Sequence, residues 1–187
     1  MGRNSEIFTP EEARHHHHFP ELANVMNEQI CGDSPVYDFG AGDAWYTGIN
    51  APEFPKTTFY AIEGSLNPAM LSGVPLENVT TIQWDLRNPA YFGVRGTVFC
   101  IEVMEHIHAE YHDTVMDTLS RHCAGTLLLS WAVRGQTGTR HVAERNENEV
   151  VPYVAKWGFS LDREKSEEYR RRVGSYFSNS LYLFRRG

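Results

Sequence analysis

The segment Pro35-Val36-Tyr37-Asp38-Phe39-Gly40-Ala41-Gly42 constrains this chain more than any other. A short β-branched and aromatic run leads straight into a glycine pair. Glycines at such a place let the backbone turn sharply and come close to a ligand at the carboxyl end of a strand, where open α/β sheets bind their ligands. Alone, Gly-x-Gly serves equally well as a plain structural turn, so its meaning depends on the residues downstream.

The downstream sequence alternates. Strand-like runs occur at 36–39, 57–62, 79–84, 97–101 and 126–131, each with β-branched or aromatic content and turn residues nearby. Between the last two, Ile107, Tyr111, Val115 and Leu119 recur at intervals of four and predict a helix. A further helix is expected over 146–156, despite Pro152. Strands separated by connections of this length specify an α/β chain with a parallel sheet. Near the end, 159–162 and 176–185 read as two strands with no room for a full helix between them, so an antiparallel pair at the sheet edge is expected. At the amino end, Thr9, Pro10 and Glu12 make a helix-start signal. Pro20 then opens a second helix carrying Leu22, Val25, Met26 and Ile30, which stops at Gly32. The 187 residues suit one domain, with a helical segment 1–32 and an α/β core 33–187.

Acids close the successive strands. Glu63 ends the run Thr58-Phe59-Tyr60-Ala61-Ile62, about 20 residues past the glycines, where a carboxylate can accept two hydrogen bonds from a ribose diol. Asp85 ends the next run, where it can accept from an adenine amino group, and Glu102 follows Val98-Phe99-Cys100-Ile101. A solvated strand-end carboxylate is the commoner fate of any one of these; three in order point to a nucleotide-like ligand.

From about Ser34 to the carboxyl end this series resembles the class I S-adenosylmethionine (SAM)-dependent methyltransferases. The most distinctive match is Ile101-Glu102-Val103-Met104-Glu105-His106-Ile107, similar to the EVxEH run after the family's fourth strand. The resemblance implies a Rossmann-like, seven-stranded, mostly parallel sheet with an antiparallel last strand, helices on both faces and an N-terminal helical lid. It also implies SAM as cofactor and S-adenosylhomocysteine (SAH) as product. By the same resemblance Gly40, Ala41 and Gly42 hold the methionine part, Asp38 orients its amino-acid end, Glu63 takes the ribose, Asp85 the adenine, and Glu102 completes the cofactor-binding set. Ala44 and bulky Trp45 depart from the pattern where many members have a third glycine, and the stretch after them is too rich in Pro, Gly and Asn for a long first helix. A nicotinamide dinucleotide shares the glycine turn. Against it, the last fingerprint glycine is missing, and Asp38 beside the turn suits a cationic amino acid better than a pyrophosphate.

Methyl transfer from a sulfonium needs alignment and the exclusion of water, and an oxygen nucleophile also needs a base. The candidates are Glu105 and His106 after the fourth strand and His141 after the fifth; His108 points elsewhere. His106 is either such a base or a helix-start histidine holding a loop. The stretch Gly135-Gln136-Thr137-Gly138-Thr139-Arg140-His141 resembles a GQxGxxH-type loop of small, glycan-associated methyltransferases of large viruses and phages. His141 is thus the first candidate for a base or substrate clamp, beside the plainer possibility of an exposed loop histidine. The His15 to His18 run lacks the one-face spacing of a structural metal site and is read as part of the lid, so no metal ligands are assigned. Whether a divalent metal assists is left open. Trp45 and Tyr46 can stack on adenine or a sugar face, whereas Trp84 reads as core.

A net charge of −7 argues against a nucleic-acid surface and favours a glycan or small-molecule acceptor. Arg170 to Arg172 with Arg185 and Arg186 concentrate local positive charge, read as a solvated face. Cys31, Cys100 and Cys123 carry no CxxC spacing and are read as buried thiols in a reducing compartment. No apolar run reaches the roughly 20 residues of a membrane span, and nothing at Met1 to Glu6 directs the chain out of the cytoplasm. The expected function is methyl transfer from SAM to a sugar hydroxyl of a glycan. The alternatives are transfer to nitrogen of a small molecule, nucleobase or protein, and a non-catalytic SAM-binding subunit; the oligomeric state is not legible.

Overall fold

The computed structural model describes residues 18–65, 77–136 and 138–187. The helix start at Thr9 and the histidines at 15–17 lie outside them. Within them, β1 (Val36–Phe39), β2 (Phe59–Glu63), β3 (Val79–Gln83), β4 (Gly96–Cys100), β5 (Cys123–Ser130), β6 (Phe159–Leu161) and β7 (Leu181–Arg186) form one sheet of order β3-β2-β1-β4-β5-β7-β6. The first five strands pair in parallel, and β7 runs antiparallel to both β5 and β6. The expected Rossmann-like sheet with its antiparallel last strand is present.

Side chains alternate across a pleat, and the central strands are buried on both sides. On one face Tyr37, Val98, Leu127 and Tyr182 pack with Val115, Met116 and Leu119 of α3 (His112–His122) and Val150 and Val154 of α4 (Glu147–Ala155). On the other, Val36, Phe99, Leu128 and Leu183 meet Leu22, Val25 and Met26 of α1 (Pro20–Asn27) and Tyr169 of α5 (Arg163–Val173). Leu22, Val25 and Met26 are fully or almost fully buried, each contributing about 1.5–3 kcal/mol, so α1 is a core helix. No helix among the described residues is long and apolar enough to cross a membrane.

The structure corrects four readings. First, a full helix, α5, separates β6 from β7. Its sequence REKSEEYRRRV buries only Ser166 and Tyr169, so it shows no apolar stripe. Capping holds it instead: the Asp162 carboxylate accepts from the Lys165 N–H, an acid stands in the first turn and three arginines in the last, and Gly174 at φ 98° ends it. Second, β7 begins only at Leu181, after a 3-10 turn at Ser175–Phe177. Third, α3 begins at His112; Ile107 belongs to the turns before it. Fourth, Cys31 is exposed, while Cys100 and Cys123 are buried. Few of the carboxyl-end arginines face solvent alone: Arg170 donates to Glu147 and to the Leu181 carbonyl, Arg172 pairs with Glu21 and Glu28, and Arg185 reaches Asp162.

Candidate active site

Strand order reverses between β1 and β4, and a crevice forms at the carboxyl ends of these strands. Gly40 leaves β1 at φ +76°, and a Cβ there would collide with the Val103 side chain. Both conformation and space therefore require glycine. Glu63, ending β2, binds this turn: Oε2 accepts from the Gly42 N–H at 3.0 Å and Oε1 from the Ser65 N–H at 2.9 Å. Ala44, where the third glycine was missing, nevertheless takes the left-handed conformation at φ 57°, and only the six-residue α2 (Trp45–Asn50) follows. The short helix matches the sequence expectation.

Asp38 is buried beneath the turn and accepts from Thr47 Oγ1 at 2.8 Å. Burial pushes its carboxyl up to about 6. Tyr46 accepts the Phe19 N–H, and His18 stacks on Trp45 with 4.5 Å between ring centroids while its Nε2 lies 2.8 Å from Asp43 Oδ2.

At the end of β4, Glu102 is held in the left-handed region at φ 55°. Its N–H donates to Ser130 Oγ at 2.6 Å, and that hydroxyl donates back to Oε1 at 2.7 Å. Tyr176 donates its hydroxyl to Oε2 at 3.0 Å. Backbone strain of this kind persists where surrounding contacts over-determine it.

Glu105 and His106 lie in a 3-10 turn over Met104–His106. Glu105 is fully buried, neither of its carboxylate oxygens has a hydrogen-bond partner, and burial followed by the nearby Glu102 holds its carboxyl well above the usual range. The rings of His106 and His141 meet edge to face at 5.0 Å. His106 Nδ1 faces the Arg140 carbonyl at 3.3 Å, and His141 Nδ1 faces Glu144 Oε1 at 2.9 Å. The His141 side chain is only 7% exposed, so it is no loose loop residue.

These parts enclose a cavity of about 330 Å³, within the range of small-molecule sites. Of the residues expected from sequence, it brings together Asp38, Gly40, Ala41, Gly42, Glu102, His106 and His141. Glu63 braces the turn from behind, Glu105 lies buried next to the histidines, and Asp85 stands apart. The Arg87 guanidinium grips Asp85, at 2.6 Å from Nη2 to Oδ2, and holds its carboxyl below the usual range. Trp84 is half-buried against Phe92, consistent with core. Thr47, Ser130, Glu144 and Tyr176 were not legible as site residues, because no local pattern links them to partners elsewhere in the chain.

No protein-family profile matches the sequence, and no curated protein matches it. Solved structures do. Magnesium protoporphyrin IX methyltransferase (ChlM) from Synechocystis PCC 6803 with bound SAH superposes at a TM-score of 0.64 and 18% identity, over 90% of this chain and 80% of that one. The fold is that of the class I SAM-dependent methyltransferases. Within this methyltransferase fold, the glycopeptide N-methyltransferase MtfA complexed with SAM matches at a TM-score of 0.61 and 14% identity, covering 88% of this chain and 84% of that one. The [4+2]-cyclase SpnF matches at 0.63 and 12%, covering 88% and 79%. At such identities the likeness is one of fold, which hosts more than one chemistry.

Proposed function

We propose that this protein is a SAM-dependent methyltransferase that methylates a hydroxyl oxygen, with a sugar unit of a glycan as acceptor. The observation that carries this reading is the His106–His141 pair facing the glycine turn across one cavity. Asp38, Asp43 and Glu102 give that cavity an acidic lining suited to the ammonium and sulfonium charges of SAM. In the reading, Gly40 to Gly42 hold the methionine part, Asp38 orients its amino group, and Glu63 and Asp85 serve the ribose and adenine. Asp85 would have to share or release Arg87 for that role.

The acceptor oxygen attacks the methyl carbon, the carbon–sulfur bond breaks with its electron pair staying on sulfur, and SAH leaves. The hydroxyl proton is taken up at the histidine pair, with His141 as first candidate. Glu144 at Nδ1 leaves the proton-accepting lone pair on Nε2. The acid-lined cavity and the likeness of the 135–141 loop to glycan-associated enzymes support a neutral sugar over a polyanionic acceptor.

The test is calorimetry with SAH, followed by transfer of labelled methyl from SAM to a panel of mono- and oligosaccharides. We expect SAH binding and label on oxygen. Label on nitrogen would replace the acceptor class, and binding without product on any acceptor would favour a non-catalytic subunit. Absence of SAH binding would sink the reading.

A further inference from the structure

We propose that Glu105, His106 and His141 bind a first-row divalent transition-metal ion whose open positions face the cavity and take the acceptor's hydroxyl oxygen. One ligand atom from each residue lies within 4.8 Å of the others. Atoms about 2.0–2.2 Å from a common ion lie up to ~4.4 Å apart, so small side-chain adjustments close the set.

Two independent features point to an ion. A buried acid whose polar atoms lack partners is costly, and both oxygens of Glu105 are in that state. An ion supplies the interaction the protein withholds. Each histidine also has its Nδ1 opposite an oxygen that can only accept: the Arg140 carbonyl for His106 and the Glu144 carboxylate for His141. Nδ1 therefore carries the proton in both rings, and the lone pair is on Nε2. Metal-binding histidines are oriented by this kind of outer contact. In His141 the Nε2 edge lies against Gly138, which lines the cavity. Two imidazoles and one carboxylate suit zinc, iron or cobalt better than the oxygen-seeking magnesium.

Such an ion lowers the pKa of a bound hydroxyl, whose proton passes to water, and orients the resulting alkoxide. The ion then replaces direct proton uptake by His141. This role rests on the methyl-transfer reading; the site itself does not.

The experiment titrates metal-free protein with cobalt(II) and follows its visible d–d bands. The background carries His15→Ala, His16→Ala and His17→Ala, because a histidine run binds such ions unaided. We expect one cobalt per chain, displaced by zinc, and at least a ~10-fold weaker affinity in Glu105→Gln. Should Glu105→Gln misfold by circular dichroism, Glu144→Gln at a part-exposed position gives the second reading, with an expected loss of about 10–100-fold. Equal cobalt affinity in the parent and the folded variants would overturn the site. SAH calorimetry on the same metal-free protein separates the two ideas. SAH binding without cobalt binding overturns the metal site alone, whereas cobalt binding without SAH binding upholds the site and removes the methyl-transfer reading. Turnover that survives chelation unchanged would overturn the ion's role in acceptor activation.

Discussion

The imidazole of His141 lies against Gly138 so closely that a methyl group on that glycine would overlap the ring. The glycine of this loop thus serves space: it lets the ring drop to the cavity wall. With His141 as the proton acceptor, we expect Gly138→Ala to displace the ring and reduce methyl transfer by about 10²–10⁴-fold, the range for losing a general base. SAH affinity and thermal midpoint should stay close to those of the parent. A Gly138→Ala enzyme with full turnover would show that the position of His141 does not matter.

Asp38 is buried with its carboxyl raised from 3.8 to about 6. A raised acid stabilises the folded chain below its unfolded value and costs stability as pH rises through 6, here about 3 kcal/mol when fully ionised. Asp38→Asn retains an oxygen for Thr47. It should therefore raise the thermal midpoint by several degrees above pH 6, with the gain fading toward 3.8. The same variant should bind SAH more weakly. A neutral or lowered midpoint at pH 7 would contradict the burial cost.

Ser130 ties down the strained Glu102 through both of its hydroxyl bonds. Ser130→Ala leaves the Glu102 N–H and one carboxylate oxygen without this partner. A loss of roughly 1–3 kcal/mol is expected in urea unfolding. Tyr176→Phe, which removes the contact to Oε2, should cost less.

His122 is fully buried; its Nδ1 donates to the Thr118 carbonyl and its Nε2 accepts the Phe92 N–H. Burial lowers its pKa below 6.5. The unfolded chain thus binds the proton first, and the contribution of His122 is complete above 6.5 and lost as pH falls through the folded value. His122→Asn should be less stable by about 1–3 kcal/mol at pH 8, and the gap should narrow below 6.5. A gap that widens on acidification would refute the neutral assignment. His112 is held in the same way, with its Nε2 on the Met104 and Ile107 carbonyls.

Much of the fold was legible because strand and turn signals are local. The run into Gly40 and the acid after each strand need only their own neighbours to be read. Helix α5 escaped because its stability comes from the Asp162 cap, its charged ends and the docking of Tyr169, none of which makes an apolar period. Asp85 was read at the right strand end, but its pairing with Arg87 depends on side-chain geometry that spacing alone does not fix.

Local pattern specified the sheet, the glycine turn and the chemical types available around it, since backbone conformation and the alternation of apolar residues are written locally. Which of those groups meet depends on packing. Tyr176 reaches Glu102 across 74 residues, and His141 comes to His106 and the buried Glu105 only when the loops after β4 and β5 fold over one cavity. Long-range contacts depend on how both faces of the sheet pack, and no segment carries that information alone.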